Sequence, residues 1–286
     1  MLFRSCECQL VRPVGDVMAT TELKTIVCIK QVPGDSAVEV DPVTGILRRD
    51  KIKGKLNPYD LFALEQAFLL RERFGGTITA LSMGPRQAEE SLRECLYMGA
   101  DRACLICDRR LAGADVLATA WTLCQGIRRI ASYDLILCGK QTTDGDTAQV
   151  GPEMAELLGI PHVTNVMRIE KINESSLTLV SALEERLYRL KLRLPCLAAV
   201  EKDINTPRLP SYRRKKETAG QPIEIWTLDD LPDREENHYG LSGSATRVER
   251  IFPPCRDGKR QMYDGSGAEL ADLLLELLLS KKMISR

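Results

Sequence analysis

An apolar run, Leu135–Gly139, leads through the polar loop Asp144-Gly145-Asp146-Thr147-Ala148-Gln149-Val150 into Gly151-Pro152, where a helical pattern continues to residue 158. Buried strand, polar loop with a glycine, helix: in that order they form a geometry that holds a phosphate. The first free N–H groups of the helix point at the anion, and the macrodipole favours negative charge there. The loop is acidic, so a phosphate must be held by backbone N–H groups rather than by side chains. Asp144 and Asp146 are then available to cap the helix or to accept hydrogen bonds from a ribose. Gly145 is expected at positive φ or where a phosphate approaches closely, since a β-branched residue would disfavour both. An ordinary acidic turn has the same sequence, so the surroundings decide.

The surroundings repeat the pattern. Residues 25–29 read as a β-branched strand, and residues 38–40 and 45–48 as a short hairpin. Asn57-Pro58-Tyr59-Asp60 opens a helix, with Asn57 as N-cap, Pro58 at N1 and an acid at N3. Leu61, Leu64 and Phe68 form its buried stripe, and Gly75-Gly76 end it. Strands over 77–83, 103–107 and 135–139 then alternate with helices over 85–98, 115–130 and 152–158. Such alternation predicts an α/β fold with a mainly parallel sheet and helices on both faces. Ligands of these sheets sit at the carboxyl ends of the strands, near the switch point. Lys30-Gln31, Gly84 and the loop from Gly139 to Gly151 all fall at strand ends.

After Pro161 the character changes. Residues 163–170, 177–182 and 187–194 read as an antiparallel addition, and 197–200 as another buried strand. Residues 205–220 form a long polar loop whose run Arg213-Arg214-Lys215-Lys216 reads as solvated surface. From Pro232 to Gly267 no core pattern is visible. Residues 268–281 form a leucine-rich amphipathic helix of the kind that lies on another surface.

Composition narrows the function. Of the 286 residues, 40 are Lys or Arg and 40 are Asp or Glu, and aromatics make up 5%. A net charge of zero and few stacking residues argue against nucleic acid as a partner. The 10 cysteines often lie inside apolar runs, which is reduced, buried thiol usage and points to the cytoplasm. Cys104-Leu105-Ile106-Cys107 sits in an expected strand and lacks a second ligand pair, so it reads as core rather than as a zinc or redox motif. No apolar run is long enough for a membrane span. With only two histidines, His162 and His238, in unrelated contexts, neither a metal site nor a Ser-His-Asp system is expected. There is no P-loop and no G-x-G-x-x-G after the first strand. A nucleotide fold without its own acid, base or nucleophile leaves the chemistry to the ligand.

Several segments in order identify a resemblance: Ile26-Val27-Cys28-Ile29-Lys30-Gln31-Val32-Pro33, Asn57-Pro58-Tyr59-Asp60, Ser82-Met83-Gly84-Pro85, Met98-Gly99-Ala100-Asp101, Gly139 to Pro152, and Ile204-Asn205-Thr206-Pro207-Arg208. From about Lys24 onward the chain resembles the β (small) subunit of electron transfer flavoproteins. The resemblance implies an adenine-nucleotide-binding α/β sandwich and a heterodimer with a larger α subunit that carries the redox FAD. It implies nucleotide contacts at Cys28, at Asn57, Pro58, Tyr59 and Asp60, and at Met83. It implies further contacts along the loop of Gly139, Lys140, Gln141, Thr142, Thr143, Asp144, Gly145, Asp146, Thr147, Ala148, Gln149 and Val150. Catalytic and metal-binding residues are not implied.

The family divides by what fills this site: structural AMP, or a second FAD that takes a hydride from NADH and sends its electrons down two paths. The loop here looks like the bifurcating and nitrogen-fixation-associated group, because the AMP group has bulkier residues around 147–150. FAD is therefore expected, with AMP as the alternative. The electron partner implied is an acyl-CoA-type or other flavin dehydrogenase, with NADH as a candidate donor. The family's partner-recognition loop follows Arg208; Tyr212 stands at the place of its usual anchor leucine, and Tyr212, Arg213 and Arg214 are expected to meet the dehydrogenase. Glu184-Glu185 replaces the family's usual acidic-glycine turn. The expected organisation is an unstructured leader over 1–23, the nucleotide-binding domain over 24–231, and an extended C-terminal arm over 232–286 that docks on the α subunit.

Overall fold

The computed structural model describes residues 22–34, 54–249 and 261–284. The hairpin expected over 38–48, and residues 1–21 of the expected leader, lie outside them. The chain divides into two compact units, residues 1–249 and 250–286.

In the first unit β1 (Leu23–Cys28) is followed by a small antiparallel pair, β2 (Gln31–Pro33) with β3 (Gly54–Leu56), and by helix α1 (Pro58–Phe74). Strands and helices then alternate: β4 (Gly76–Met83), α2 (Glu89–Met98), β5 (Arg102–Ile106), α3 (Val116–Ile130), β6 (Leu135–Gly139) and α4 (Val150–Leu158). Next come β7 (His162–Ile172), β8 (Ser176–Leu183), β9 (Arg186–Arg193) and β10 (Cys196–Val200), then the short α5 (Tyr212–Glu217) and β11 (Glu224–Trp226). Among the described residues the main sheet has nine strands in the order β11-β5-β4-β1-β6-β10-β7-β8-β9. Neighbours from β11 to β7 pair in parallel, and β8 and β9 add antiparallel. This is the α/β fold with an antiparallel addition that the alternation implied.

Strand periodicity explains the two layers. Successive side chains point to opposite faces. On β1, Val27 enters the core shared with α1 and α2, whereas Ile26 and Cys28 enter the core shared with α3 and α4. On β6, Leu135 and Leu137 divide from Ile136 and Cys138 in the same way. A sheet buried on both faces needs apolar residues at every position, which is why these strands read as continuous runs. The stripe of α1 is broader than expected: Leu64 and Phe68 are buried with Ala63 and Ala67, while Leu61 is only half-buried.

Two local expectations change. The hairpin of β8 and β9 closes through Glu184-Glu185, with Leu183 opposite Arg186 and Glu184 at φ 54°. A two-residue hairpin turn needs that left-handed conformation, so the turn forms without glycine at a cost of roughly 1–2 kcal/mol. The segment after Pro232 is not free of core residues. Tyr239 is buried with Leu228 and Leu231 beneath α3, and its hydroxyl donates to the Asp233 carbonyl at 2.6 Å. Trp121 Nε1 donates to Asp233 Oδ2 at 2.9 Å. A lone aromatic in a polar stretch has no periodicity to betray it. The first compact unit runs to Glu249. The second unit contains α6 (Gly267–Ser280), which opens with a reciprocal cap between Ser266 and Glu269. Among the described residues no helix is long and apolar enough to cross a membrane.

Candidate functional site

Strand order reverses at β1: β4 and β5 follow on one side, β6 and β10 on the other. The carboxyl ends of β1, β4 and β6, closed by the start of α1, form the crevice in which such sheets bind ligands. Asn57, Tyr59, Asp60, Met83 and the loop from Gly139 gather there.

One carboxylate ties the crevice together. Asp60, 4% exposed, accepts the Lys30 N–H at 2.8 Å and the Gly139 N–H at 3.1 Å. It thereby joins the ends of β1 and β6 to the first turn of α1. Asn57 donates its backbone N–H to the Lys30 carbonyl at 2.9 Å and its side-chain Nδ2 to the Gln141 carbonyl at 3.0 Å. Asn57 keeps the N-cap position but makes no capping bond. The sequence assigned both side chains to capping; the structure spends them across the crevice, because strand-end groups there need partners. Burial pushes the Asp60 carboxyl up to about 7, against the lowering by the Lys30 N–H, the Asn57 side chain and the Gly139 N–H. Among the described residues Asn57 Oδ1 is buried without a hydrogen-bond partner, an acceptor left open at the crevice.

Gly139 is required by close approach. A Cβ there would lie 2.6 Å from both Asp60 Oδ1 and the Tyr59 carbonyl carbon. Gly151 is similar, since its Cβ would lie 2.9 Å from Cys138 Sγ. Gly145 is not. Its φ is not left-handed, and an added Cβ would meet only Thr142 Oγ1 at 3.8 Å. Positive φ falls instead on Asp146 (51°) and Ala148 (55°). Aspartate tolerates this conformation; alanine loses roughly 1–2 kcal/mol there. Ala148 precedes Gln149 at φ −103° and ψ −29°, and a left-handed residue followed by a right-handed one turns successive N–H groups into one concavity. Helix α4 begins two residues earlier than expected, at Val150, and Gln149 gives it no side-chain cap, so its first N–H groups stay available.

Asp144 does not cap α4. It pairs with Lys30 Nζ at 2.7 Å, and Lys30 also reaches Thr142 Oγ1 at 3.5 Å. Partial burial opposes the charge, yet the bonds from Lys30 and Thr142 hold the Asp144 carboxyl below the usual range. Lys140 is turned away, with its N–H on the Val200 carbonyl at 2.9 Å and its ammonium 3.0 Å from Glu201. Thr143, Asp146, Thr147 and Gln149 are exposed along the loop; Pro58, Tyr59, Met83, Gln141 and Val150 are half-buried. Cys28 differs. Its side chain is buried in the core of α3 and α4. Burial pushes its thiol up, and Cys138 and Asp60 add to the effect.

Tyr212, Arg213 and Arg214 open α5, which packs on α2. Tyr212 is 71% exposed, with the Lys216 ammonium 4.8 Å from its ring centroid. Arg213 pairs with Glu217 at 2.7 Å, and the Arg214 N–H donates to Ser211 Oγ at 3.3 Å. Among the described residues none of the three bonds to the loop of 139–150.

One pairing and one residue escaped the sequence reading. Lys30 is the loop's counter-charge, but its partner lies 114 positions away, so nothing local reveals it. Leu209 is 86% exposed three residues before Tyr212. An apolar residue between Arg208 and Pro210 in a polar loop was the available signal. No group of His, Cys, Asp and Glu among the described residues could hold a metal ion.

An α/β sheet with a ligand crevice at its switch point sets the class, and the comparisons set the family. The electron transfer flavoprotein domain matches residues 44–231. The chain is 42% identical over 268 residues to the electron transfer flavoprotein subunit beta of Thermoanaerobacterium thermosaccharolyticum, covering 92% of this chain and 100% of that one. It is 41% identical over 262 residues to protein FixA of Bradyrhizobium diazoefficiens, covering 90% and 91%. It is 40% identical over 264 residues to the caffeyl-CoA reductase-Etf complex subunit CarD of Acetobacterium woodii, covering 92% and 100%. The chain belongs to the electron transfer flavoprotein family, as a β subunit.

Proposed function

We propose that this subunit holds FAD in the crevice and, with an α subunit, takes electrons from NADH and divides them between the α-subunit FAD and a low-potential acceptor. The observation that carries the reading is the loop of 144–150. Its backbone turns left-handed at Asp146 and Ala148 directly before an uncapped helix start. That arrangement suits a diphosphate better than a side-chain anion site, because the loop's own carboxylates exclude anions unless N–H groups hold them. FAD supplies the acceptance of a hydride and the release of its electrons one at a time.

The chain's residues supply the rest. The N–H groups from Ala148 to Val150 hold phosphate. Lys30 neutralises Asp144, which lowers the repulsion an incoming diphosphate meets. Asn57 Oδ1 accepts a donor from the nucleotide. Asp60 keeps the ends of β1 and β6 at fixed separation. The small side chains of Thr147 and Ala148 leave the mouth open for the flavin portion, which favours FAD over AMP. The relative named for a caffeyl-CoA reductase-Etf complex supports a flavin-dependent acyl-CoA dehydrogenase as electron partner. Leu209 and Tyr212, two large exposed apolar side chains, with Arg213 and Arg214 beside them, form the surface offered to that dehydrogenase. Residues beyond 249 dock on the α subunit. The free thiols of Cys28, Cys95, Cys104, Cys107, Cys124, Cys138 and Cys196 support a reducing compartment, the cytoplasm.

Anaerobic titration of the purified αβ heterodimer with NADH tests the reading. Two FAD require two hydride equivalents for full bleaching of the flavin absorbance. An endpoint at one equivalent, or no bleaching by NADH, would favour the structural-AMP alternative.

A further inference from the structure

The segment Asn205–Arg208 lies across α1 and is bonded to it over more than two turns. Asn205 Nδ2 donates to the Phe62 carbonyl at 3.0 Å and to Gln66 Oε1 at 3.4 Å. Arg208 then turns its backbone N–H, Nε and Nη2 to the same helix. Its backbone N–H and Nε reach Glu65 Oε2 at 3.0 and 2.8 Å, its Nη2 reaches Glu65 Oε1 at 2.9 Å, and Nη2 also pairs with Glu72 at 2.8 Å. The guanidinium lies 4.7 Å from the centre of the Phe68 ring. Glu65 is 4% exposed, and 143 positions separate the two partners. A buried carboxylate in mid-helix is costly unless paired, and this one takes a bidentate fork plus a backbone N–H.

The residue after Arg208 is Leu209, and Tyr212 follows at the start of α5, where the Ser211 N–H is fixed to the Tyr97 carbonyl at 3.1 Å. The two most exposed apolar side chains of this region therefore project from a base pinned at both ends. The same α1 carries Asn57, Tyr59 and Asp60 at its N-terminal turn. Glu65 stands about 10 Å along the helix from that turn, at 1.5 Å per residue.

We infer that the Glu65–Arg208 pair is a positioning device for redox-partner docking: it fixes the Leu209 end of the loop that leads to Tyr212 to the helix that lines the nucleotide crevice, while Ser211 holds the other end on α2. The inference rests on the docking reading above. A loop preorganised in this way loses less conformational freedom when a partner binds, so its anchor affects affinity rather than the flavin. Arg208 cannot be replaced by a lysine of equal charge, because an ammonium lacks the planar fork that satisfies both Glu65 oxygens. Glu72 is exposed and pairs with Arg208 through a single nitrogen, so it contributes little by itself.

The test uses the αβ heterodimer with a purified short-chain acyl-CoA dehydrogenase as electron partner. Leu209→Ala and Tyr212→Ala are measured first, and Glu65→Gln, Arg208→Lys and Glu72→Gln beside them. Glu65→Gln and Arg208→Lys are expected to raise KM for the dehydrogenase about tenfold, equivalent to 1.4 kcal/mol, with kcat and flavin content unchanged. Glu72→Gln should stay within about twofold of wild type. Hydrogen exchange of residues 205–217 should accelerate in Glu65→Gln and Arg208→Lys while α1 remains protected, which separates a freed loop from a misfolded subunit. If Leu209→Ala and Tyr212→Ala leave KM unchanged, the docking reading falls and the inference with it. If those two raise KM and Glu65→Gln does not, the docking surface stands and the positioning role is overturned.

Discussion

Asp60 is the residue on which most of the crevice depends, and its chemistry gives a pH signature. Burial holds its carboxyl at about 7 in the folded chain, well above the usual carboxylate range. Below about pH 4 both folded and unfolded chains are protonated here and nothing is lost. Between pH 4 and 7 the unfolded chain releases the proton and the folded chain keeps it, so stability falls as pH rises; above 7 the loss is complete. In urea unfolding of the heterodimer, the stability of wild type relative to Asp60→Asn should decline from pH 4 to 7 and then level off. Asp108, held down at about 2 by Arg110, acts in the opposite sense at lower pH, but it is common to both proteins and cancels. A flat difference from pH 4 to 8 would mean that Asp60 is ionised throughout. Asn57 and Asp60 were legible in the sequence as a helix start because Asn-Pro-x-Asp is a local signal. Their bonds to Gln141, Lys30 and Gly139 were not, since those partners meet only when the sheet closes.

At the scale of elements, the strand–loop–helix unit of β6 and α4 shows where glycine is needed. The sequence pointed to Gly145, because a glycine within an acidic loop is the default site for positive φ. The backbone instead places that conformation at Asp146 and Ala148, and gives the tight contact to Gly139. Gly139→Ala should cost about 1–3 kcal/mol by forcing α1 away from β6. Gly145→Ala should stay within about 0.5 kcal/mol, or gain slightly by restricting the unfolded chain. Paired thermal melts decide: equal effects at the two positions, or a larger one at Gly145, would contradict the packing described here. Periodicity read the strands and helices well because both faces of the sheet are buried. Cap chemistry was read less well because fold-scale bonds claimed the capping side chains.

For the whole molecule, residues 232–249 belong to the first unit and those beyond belong to a second. Asp233 binds Trp121, Glu236 reaches Arg110 at 3.1 Å, and Asp115 accepts the Thr246 N–H at 2.8 Å. A chain ending at 231 should therefore melt lower than one ending at 249, which should retain the helix and sheet circular-dichroism signal while failing to assemble with the α subunit. Co-purification of the 249-residue chain with α at full stoichiometry would remove the arm from the interface. These contacts lay beyond sequence reading because Tyr239 and Asp233 find α3 across more than 100 positions without any periodic pattern. The central claim, that the crevice at the switch point holds FAD, is tested most directly by denaturing the purified αβ heterodimer and identifying the released nucleotides by mass spectrometry. Two FAD per heterodimer and no AMP are expected. One FAD with one AMP would contradict that claim.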